Sequence, residues 1–75
     1  MSLTENPVST VLDSESLTVP EEETWKVTLS ADDNSVIEIN GVTLKTNEDP
    51  ATQIETVLTQ DDTVEGTMHI GGFAL

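Results

Sequence analysis

The side chains best suited to bind a cation lie in two short acidic clusters, Asp32-Asp33 and Asp61-Asp62. Carboxylate oxygens are preferred ligands of calcium and magnesium, but neither cluster has the ligand spacing of an EF-hand loop. Aspartate is also a common turn former, because its short side chain bonds to the local backbone. We therefore predict solvated turns at both places and no specific metal site, with cation binding by these four aspartates as the alternative.

Groups that could catalyse a reaction are few. The chain has one histidine, His69, and no cysteine, tyrosine or arginine, and its only basic side chains are Lys26 and Lys45. A lone histidine in an apolar strand is more often a packed or interfacial residue than a base or a ligand, since both of those roles need converging partners. The serines lack a Gly-x-Ser-x-Gly elbow. We predict that the chain is not an enzyme and uses no cofactor.

The net charge of the chain restricts its partners. Fifteen carboxylates against two lysines give a charge of −13 at pH 7. Nucleic acids and anionic membranes are bound through Lys and Arg, so we expect neither as a partner. No apolar stretch approaches the roughly 20 residues of a membrane span, and residues 1–5 do not begin a signal peptide. The alternative reading of such a composition, an acidic disordered segment, is opposed by the patterning of the apolar residues.

The same composition is similar to that of proteins from salt-accumulating halophiles. Exposed like charges repel one another over a screening length of roughly 10 Å at 0.1 M salt and about 3 Å at 1 M. A dense acidic surface therefore destabilises a compact fold much less in brine than in dilute buffer. We predict a protein adapted to high salt.

The length of 75 residues fits one small domain with a modest core. Domains of this size usually need a disulfide, a metal or a partner for stability. Cysteine is absent, so no disulfide can stabilise the domain. We therefore predict a homo-oligomer or attachment to a larger assembly.

Residues 1–16 differ from the rest of the chain. They are small and polar, and Pro7 interrupts them. We predict an extended N-terminal arm that docks on a neighbouring subunit and a β-domain over residues 17–75. The arm residues predicted to lie in that interface are Leu3, Val8, Val11 and Leu12.

The alternation of apolar and polar residues predicts strands in the domain. Trp25, Val27 and Leu29 share one face of a strand over 24–30. Other predicted strands cover 17–19, 36–39, 42–45, 54–59 and the segment 64–75, in which Gly71-Gly72 fits a bulge where the apolar phase shifts. Six or seven short strands without a helix predict an all-β fold, a small antiparallel β-sandwich or jelly-roll-like domain.

The pair Asn40-Gly41 predicts a two-residue hairpin, because both residues tolerate the positive φ of a type I′ turn. This turn would pair Ile39 with Val42 and Ile37 with Leu44, and would place all four on the core face. Outside the hairpin, four residues are predicted to lie in the core or in an interface: Trp25, His69, Phe73 and Leu75.

Three parts of the domain together resemble the small jelly-roll-like virion proteins of haloarchaeal tailed viruses. They are the run 17–27 with its Thr-Val-Pro and Thr-Trp-Lys-Val, the hairpin 37–42, and the ending built from 54–58, 61–64 and 69–73. The resemblance covers about residues 17–75.

What the resemblance implies is a capsid decoration, cement or turret subunit that stabilises the shell of a halophilic archaeal virus. Such a subunit is made in the host cytoplasm, is located in the virion, forms a trimer or pentamer, and binds the major capsid protein or other virion proteins. Two alternatives stay open: a tail or baseplate component, and a cellular halophilic binding module.

Overall fold

A computed structural model describes residues 6–75, in which 69% of the residues lie in strands and none in a helix. The strands form one antiparallel sheet that curls into a half-barrel. This confirms the predicted all-β class. The strands are β1 (Asn6–Thr18), β2 (Thr24–Ala31), β3 (Ile37–Ile39), β4 (Val42–Lys45), β5 (Thr52–Thr59) and β6 (Thr63–Ala74).

The C-terminal strand β6 organises the sheet. Along one of its edges it pairs with β1, from Asn6 opposite Ala74 to Thr18 opposite Thr63. Its other edge pairs with β2 in its second half and with β3 in its first half. Strand β5 follows β2, and β4 follows β3. The described chain therefore leaves three strands, β1, β4 and β5, at the borders of the sheet.

The inner face of the sheet carries the core. In β2 the predicted alternation is observed, with buried Trp25, Val27 and Leu29 separated by exposed or half-exposed polar residues. Burying a leucine or isoleucine side chain contributes about 1.5–3 kcal/mol. A small number of such residues therefore dominates the stability of this domain. The fully enclosed apolar side chains are Val19, Leu29, Ile37, Leu58, Val64 and Ile70.

The N-terminal segment is a strand of the sheet, which corrects the predicted boundary at residue 16. That boundary falls inside β1, and Leu12 is buried in the core at 5% exposure. Val8 is half-buried against the same core, whereas Val11 is 67% exposed. An edge strand needs few apolar side chains, so its small, polar sequence resembles that of an extended arm. Leu3 lies outside the described residues, and docking of this segment on a neighbour stays a prediction.

The hairpin between β3 and β4 has the predicted turn and a different register. Asn40 and Gly41 have φ angles of 52° and 81°, and Ile39 pairs with Val42. The predicted pairing of Ile37 with Leu44 is wrong, because a register shift between Ile37 and Glu38 places Lys45 opposite Ile37. Val42 and Leu44 are exposed, at 60% and 46%, so the prediction that both lie on the core face is also wrong.

The bulge predicted at Gly71-Gly72 is also wrong. The register of β6 with β1 and with β2 runs unbroken through both glycines. The irregularity lies in β1 instead, between Leu12 and Glu15, where Ser14 has a φ of 53°. Ala74 consequently faces the core, and Phe73 is directed to the outer face.

Candidate docking surface

An apolar row crosses the outer face of the sheet near its C-terminal end. Phe73 of β6 lies between Pro7 of β1 and Lys26 of β2, and Lys26 lies opposite Val57 of β5. Residues directly opposite in neighbouring strands share a face. Phe73 and Val57 are 50% and 54% exposed, and Leu75, just past β6, is 57% exposed. The sheet therefore presents large apolar side chains on the side away from its core.

A groove of about 530 Å³ runs beside this row. Because glycine has no side chain, Gly71, which has the outer-face phase of β6, leaves open space beside Phe73. The next outer row is formed by Gly71, Thr28 of β2 and Glu55 of β5. The groove is lined by residues that include Glu55, Val57, Gly71, Gly72, Phe73 and Leu75. It is a shallow apolar channel with one carboxylate on its border.

The charges around the groove differ from those of the rest of the surface. Lys26 is exposed and contributes to the groove lining, close to Glu55. The second lysine of the chain, Lys45, is 1% exposed, and its Nζ donates hydrogen bonds to the backbone oxygens of Ser35 (2.8 Å) and Thr46 (3.0 Å). Of the two lysines in this −13 chain, the accessible one therefore lies at the groove.

The residues predicted for the core or an interface separate into two groups. Trp25 is a core residue, 7% exposed, and its indole Nε1 donates to Glu23 Oε1 at 2.8 Å. His69 is exposed on the outer face, in the row of Val11, and its ring lies against Gly71. Phe73 and Leu75 belong to the apolar row. Sequence reasoning did not identify Val57, although its phase opposite to that of buried Leu58 predicts the outer face.

The acidic clusters form turns held by local hydrogen bonds. Asp32 accepts from Ser35 Oγ at 2.6 Å and from the Asn34 amide at 3.3 Å, and these bonds lower the pKa of Asp32. Asp33 and Asp61 are exposed. Between residues 6 and 75 no three His, Asp or Glu side chains come close enough together to hold a metal ion.

Asp62 connects two turns that are distant in the sequence. It accepts from the Thr59 amide at 2.8 Å and from Asn40 Nδ2 at 3.0 Å, and both bonds lower its pKa. Asn40 in turn accepts from the Thr63 amide at 2.9 Å. The tip of the β3–β4 hairpin is thereby attached to the turn between β5 and β6, a link that no local pattern in the sequence predicts.

We expect acid to weaken the fold through these turns. The hydrogen bonds that Asp32, Asp49 and Asp62 accept lower their pKa below the ordinary value of 3.8. A carboxyl whose pKa is lower in the folded state stabilises the fold above its unfolded pKa, and this contribution is lost as the pH falls through the folded pKa. In molar KCl, which screens the general charge repulsion, the melting temperature should fall below pH 4.

The Asp62→Asn variant tests this prediction. Its melting temperature should be lower than that of the wild type at pH 7, and the difference should shrink as the pH approaches 2. The matched control is Asp33→Asn, a change at an exposed aspartate of another turn, which should follow the wild-type curve throughout. A constant difference between Asp62→Asn and the wild type across this range would contradict a role for the ionised carboxylate.

Comparison of the chain with family models, with curated proteins and with solved structures finds no match in any of the three. In the part of the chain that the structure describes, no helix is long and apolar enough to cross a membrane.

Proposed function

We propose that the chain is a structural subunit of a virion, one that decorates or cements the shell of a virus of a halophilic archaeal host. The observation that carries this proposal is the apolar row on the outer face of the sheet. Phe73, Val57 and Leu75 are each at least half exposed although the inner face of the sheet already forms a core. Large exposed apolar side chains gathered in one place mark interaction surfaces.

The shape of this surface favours attachment to another protein. The groove beside the row is shallow and about 530 Å³ in volume, and it is bordered by the accessible lysine of the chain. A protein interface has an apolar centre with an aromatic anchor and a polar rim. Phe73 supplies the anchor, Glu55 of the next outer row supplies a polar group at the rim, and exposed Lys26 lies between Phe73 and Val57. We propose that the major capsid protein or another shell protein covers this surface.

The net charge of the chain favours the proposal that the protein works at high salt. With a net charge of −13, a domain of 75 residues repels itself strongly in dilute buffer and much less at molar salt. At molar salt an apolar contact such as that of Phe73 is the interaction that persists, because burial of apolar surface does not depend on charge. An acidic exterior combined with an apolar docking surface therefore fits a shell component in brine.

Quantitative mass spectrometry of purified virus particles from the host that makes the chain tests the proposal. A decoration subunit should be present in hundreds of copies, in a fixed ratio to the major shell protein. A count of a few to dozens would favour the tail or baseplate alternative. Absence from particles would refute the virion proposal and favour a cellular module.

The docking surface itself can be tested by adding purified variants back to particles stripped of the chain. Phe73→Ser should lose binding, because a truncated anchor at an interface centre costs about 2 kcal/mol or more, roughly a thirtyfold weaker affinity. Val42→Ser is the matched control, since Val42 is exposed to a similar extent (60% against 50%) but lies in the β3–β4 hairpin, outside the apolar row. Equal binding of both variants would exclude the apolar row as the contact.

A further inference from the structure

The three border strands of the sheet are unequally protected against pairing with another chain. An edge strand offers unpaired backbone groups, and proteins block such edges with proline, bulges, charge or shortness. Strand β4 has only four residues. Strand β1 contains Pro7, an irregularity between Leu12 and Glu15, and the carboxylates of Asp13 and Glu15. Both strands therefore have features that prevent their edges from pairing with another chain.

Strand β5 has almost none of these protective features. All eight of its residues pair in unbroken register with β2, from Thr52 opposite Ala31 to Thr59 opposite Thr24. It contains no proline or glycine, and its single charged residue is Glu55. Within the described chain, β2 is its only strand partner. The edge of β5 is thus regular, long enough to pair and open.

The inner face of β5 is symmetric about Thr56. Moving outward in both directions, Ile54 matches Leu58 on the inner face and Gln53 matches Thr59 on the outer face, while the outer pair next to Thr56 is Glu55 and Val57. Apolar residues therefore match apolar ones on the inner face, and polar ends match polar ends. In an antiparallel twofold contact between two identical strands, each residue at one side of the axis lies opposite its counterpart from the other side, so this order places apolar residues opposite apolar ones on the inner face.

From this symmetry we propose that β5 pairs with β5 of a second copy of the chain, antiparallel and with Thr56 on the twofold axis. The contact joins two half-barrels into one continuous sheet. Half-buried Ile54 then lies beside Leu58 of the partner subunit, and Glu55 lies beside Val57 of the partner subunit. The result is a dimer, in place of the trimer or pentamer implied by the resemblance.

Other registers of the same pairing are less favourable. Centring on Glu55 would place two carboxylates directly opposite each other, which is destabilising in an antiparallel pair. Centring on Val57 would place Ile54 opposite the polar Gln60 of the partner subunit. A shift of one residue would exchange the inner and outer faces of one strand relative to the other. The register centred on Thr56 avoids all three conflicts.

This contact leaves the docking surface usable. Val57 stays on the outer face, so the two grooves lie on the same side of the extended sheet, one on each copy. A dimer of this kind offers two apolar rows to a larger partner, and attachment at two points strengthens binding. The β5 contact depends only on the sheet edge and not on the proposed virion role.

Light scattering and cysteine cross-linking test the pairing in molar KCl. The molar mass of the wild type should be twice the 8.1 kDa of the chain. The sequence has no cysteine, so any disulfide formed by a variant with a single introduced cysteine joins two copies of that residue. Thr56→Cys should form a disulfide-linked dimer under mild oxidation, because the two copies of residue 56 face each other. Val11→Cys, on the exposed face of β1, is the matched control and should remain largely uncross-linked.

The register is tested by mixing two further variants. Glu55→Cys and Val57→Cys should cross-link to each other when mixed, and much less when each is oxidised alone. A monomeric or threefold mass for the wild type, equal cross-linking of Val11→Cys and Thr56→Cys, or failure of the mixed pair would overturn the proposal. A dimer with this register whose chain is absent from virus particles would refute the virion role and leave the β5 contact standing.

Discussion

Replacing Gly66 with alanine is expected to lower the free energy of unfolding by about 3 kcal/mol or more, combining strain from a disfavoured backbone conformation with overpacking. Gly66 has a φ of 133°, a conformation that side chains rarely adopt. A Cβ at this position would lie 1.9 Å from the carbonyl oxygen of Val36, which accepts a hydrogen bond from the Thr67 amide. That oxygen cannot move away without breaking the bond that fixes β3 against β6.

The neighbouring glycines provide the comparison. Gly72→Ala should be similarly disruptive, since its Cβ would lie 2.1 Å from the backbone oxygen of Lys26. Gly71→Ala is the matched control, because the nearest atom is Cε1 of the exposed His69 ring at 3.0 Å, and that side chain can rotate away. Urea unfolding in molar KCl, followed by circular dichroism, measures all three. Equal midpoints for Gly71→Ala and Gly72→Ala would contradict the close strand approach described here.

The glycine pair also shows what could be predicted from the sequence and what could not. The alternation of Trp25, Val27 and Leu29 and the turn at Asn40-Gly41 are local signals, and the structure confirms both predictions. The predicted bulge at Gly71-Gly72 is wrong because the need for glycine at position 72 comes from the backbone of β2, a partner distant in sequence. Local patterns identify strands well, whereas register depends on which strands meet.

The candidate docking surface could be predicted only in part. The sequence predicts that Phe73 is a core or interface residue, but its outer location follows from the unbroken register of β6. Val57 enters the surface because β5 lies beside β2, a neighbour relation that no motif specifies. The structural role of Lys45 was missed for a similar reason. A lysine at the end of a hairpin strand is normally solvated, and here a register shift directs it inward.

Replacing buried Lys45 with methionine is expected to reduce the free energy of unfolding by about 2–3 kcal/mol, since hydrogen bonds to a charged group contribute more than neutral ones and the buried bond to the Ser35 oxygen is lost. Methionine retains most of the apolar stem but cannot donate to the backbone oxygens of Ser35 and Thr46. The Lys26→Met variant is the matched control. Lys26 is exposed, and its replacement should change the free energy by no more than about 0.5 kcal/mol.

The pKa values of the carboxyl groups near Lys45 distinguish the loss of its positive charge from a general loosening of the fold. The Lys45 ammonium adds to the hydrogen bonds that lower the pKa of Asp32 and Asp49, whereas the pKa of Asp62 is lowered by its bonds to Thr59 and Asn40. In Lys45→Met the pKa of Asp32 and of Asp49 should therefore rise while that of Asp62 stays constant. Carboxyl carbon shifts followed by NMR through an acid titration measure all three groups. An equal rise at Asp62 would mean that the substitution loosens the fold generally, and unchanged values at Asp32 and Asp49 would remove the electrostatic role assigned to Lys45.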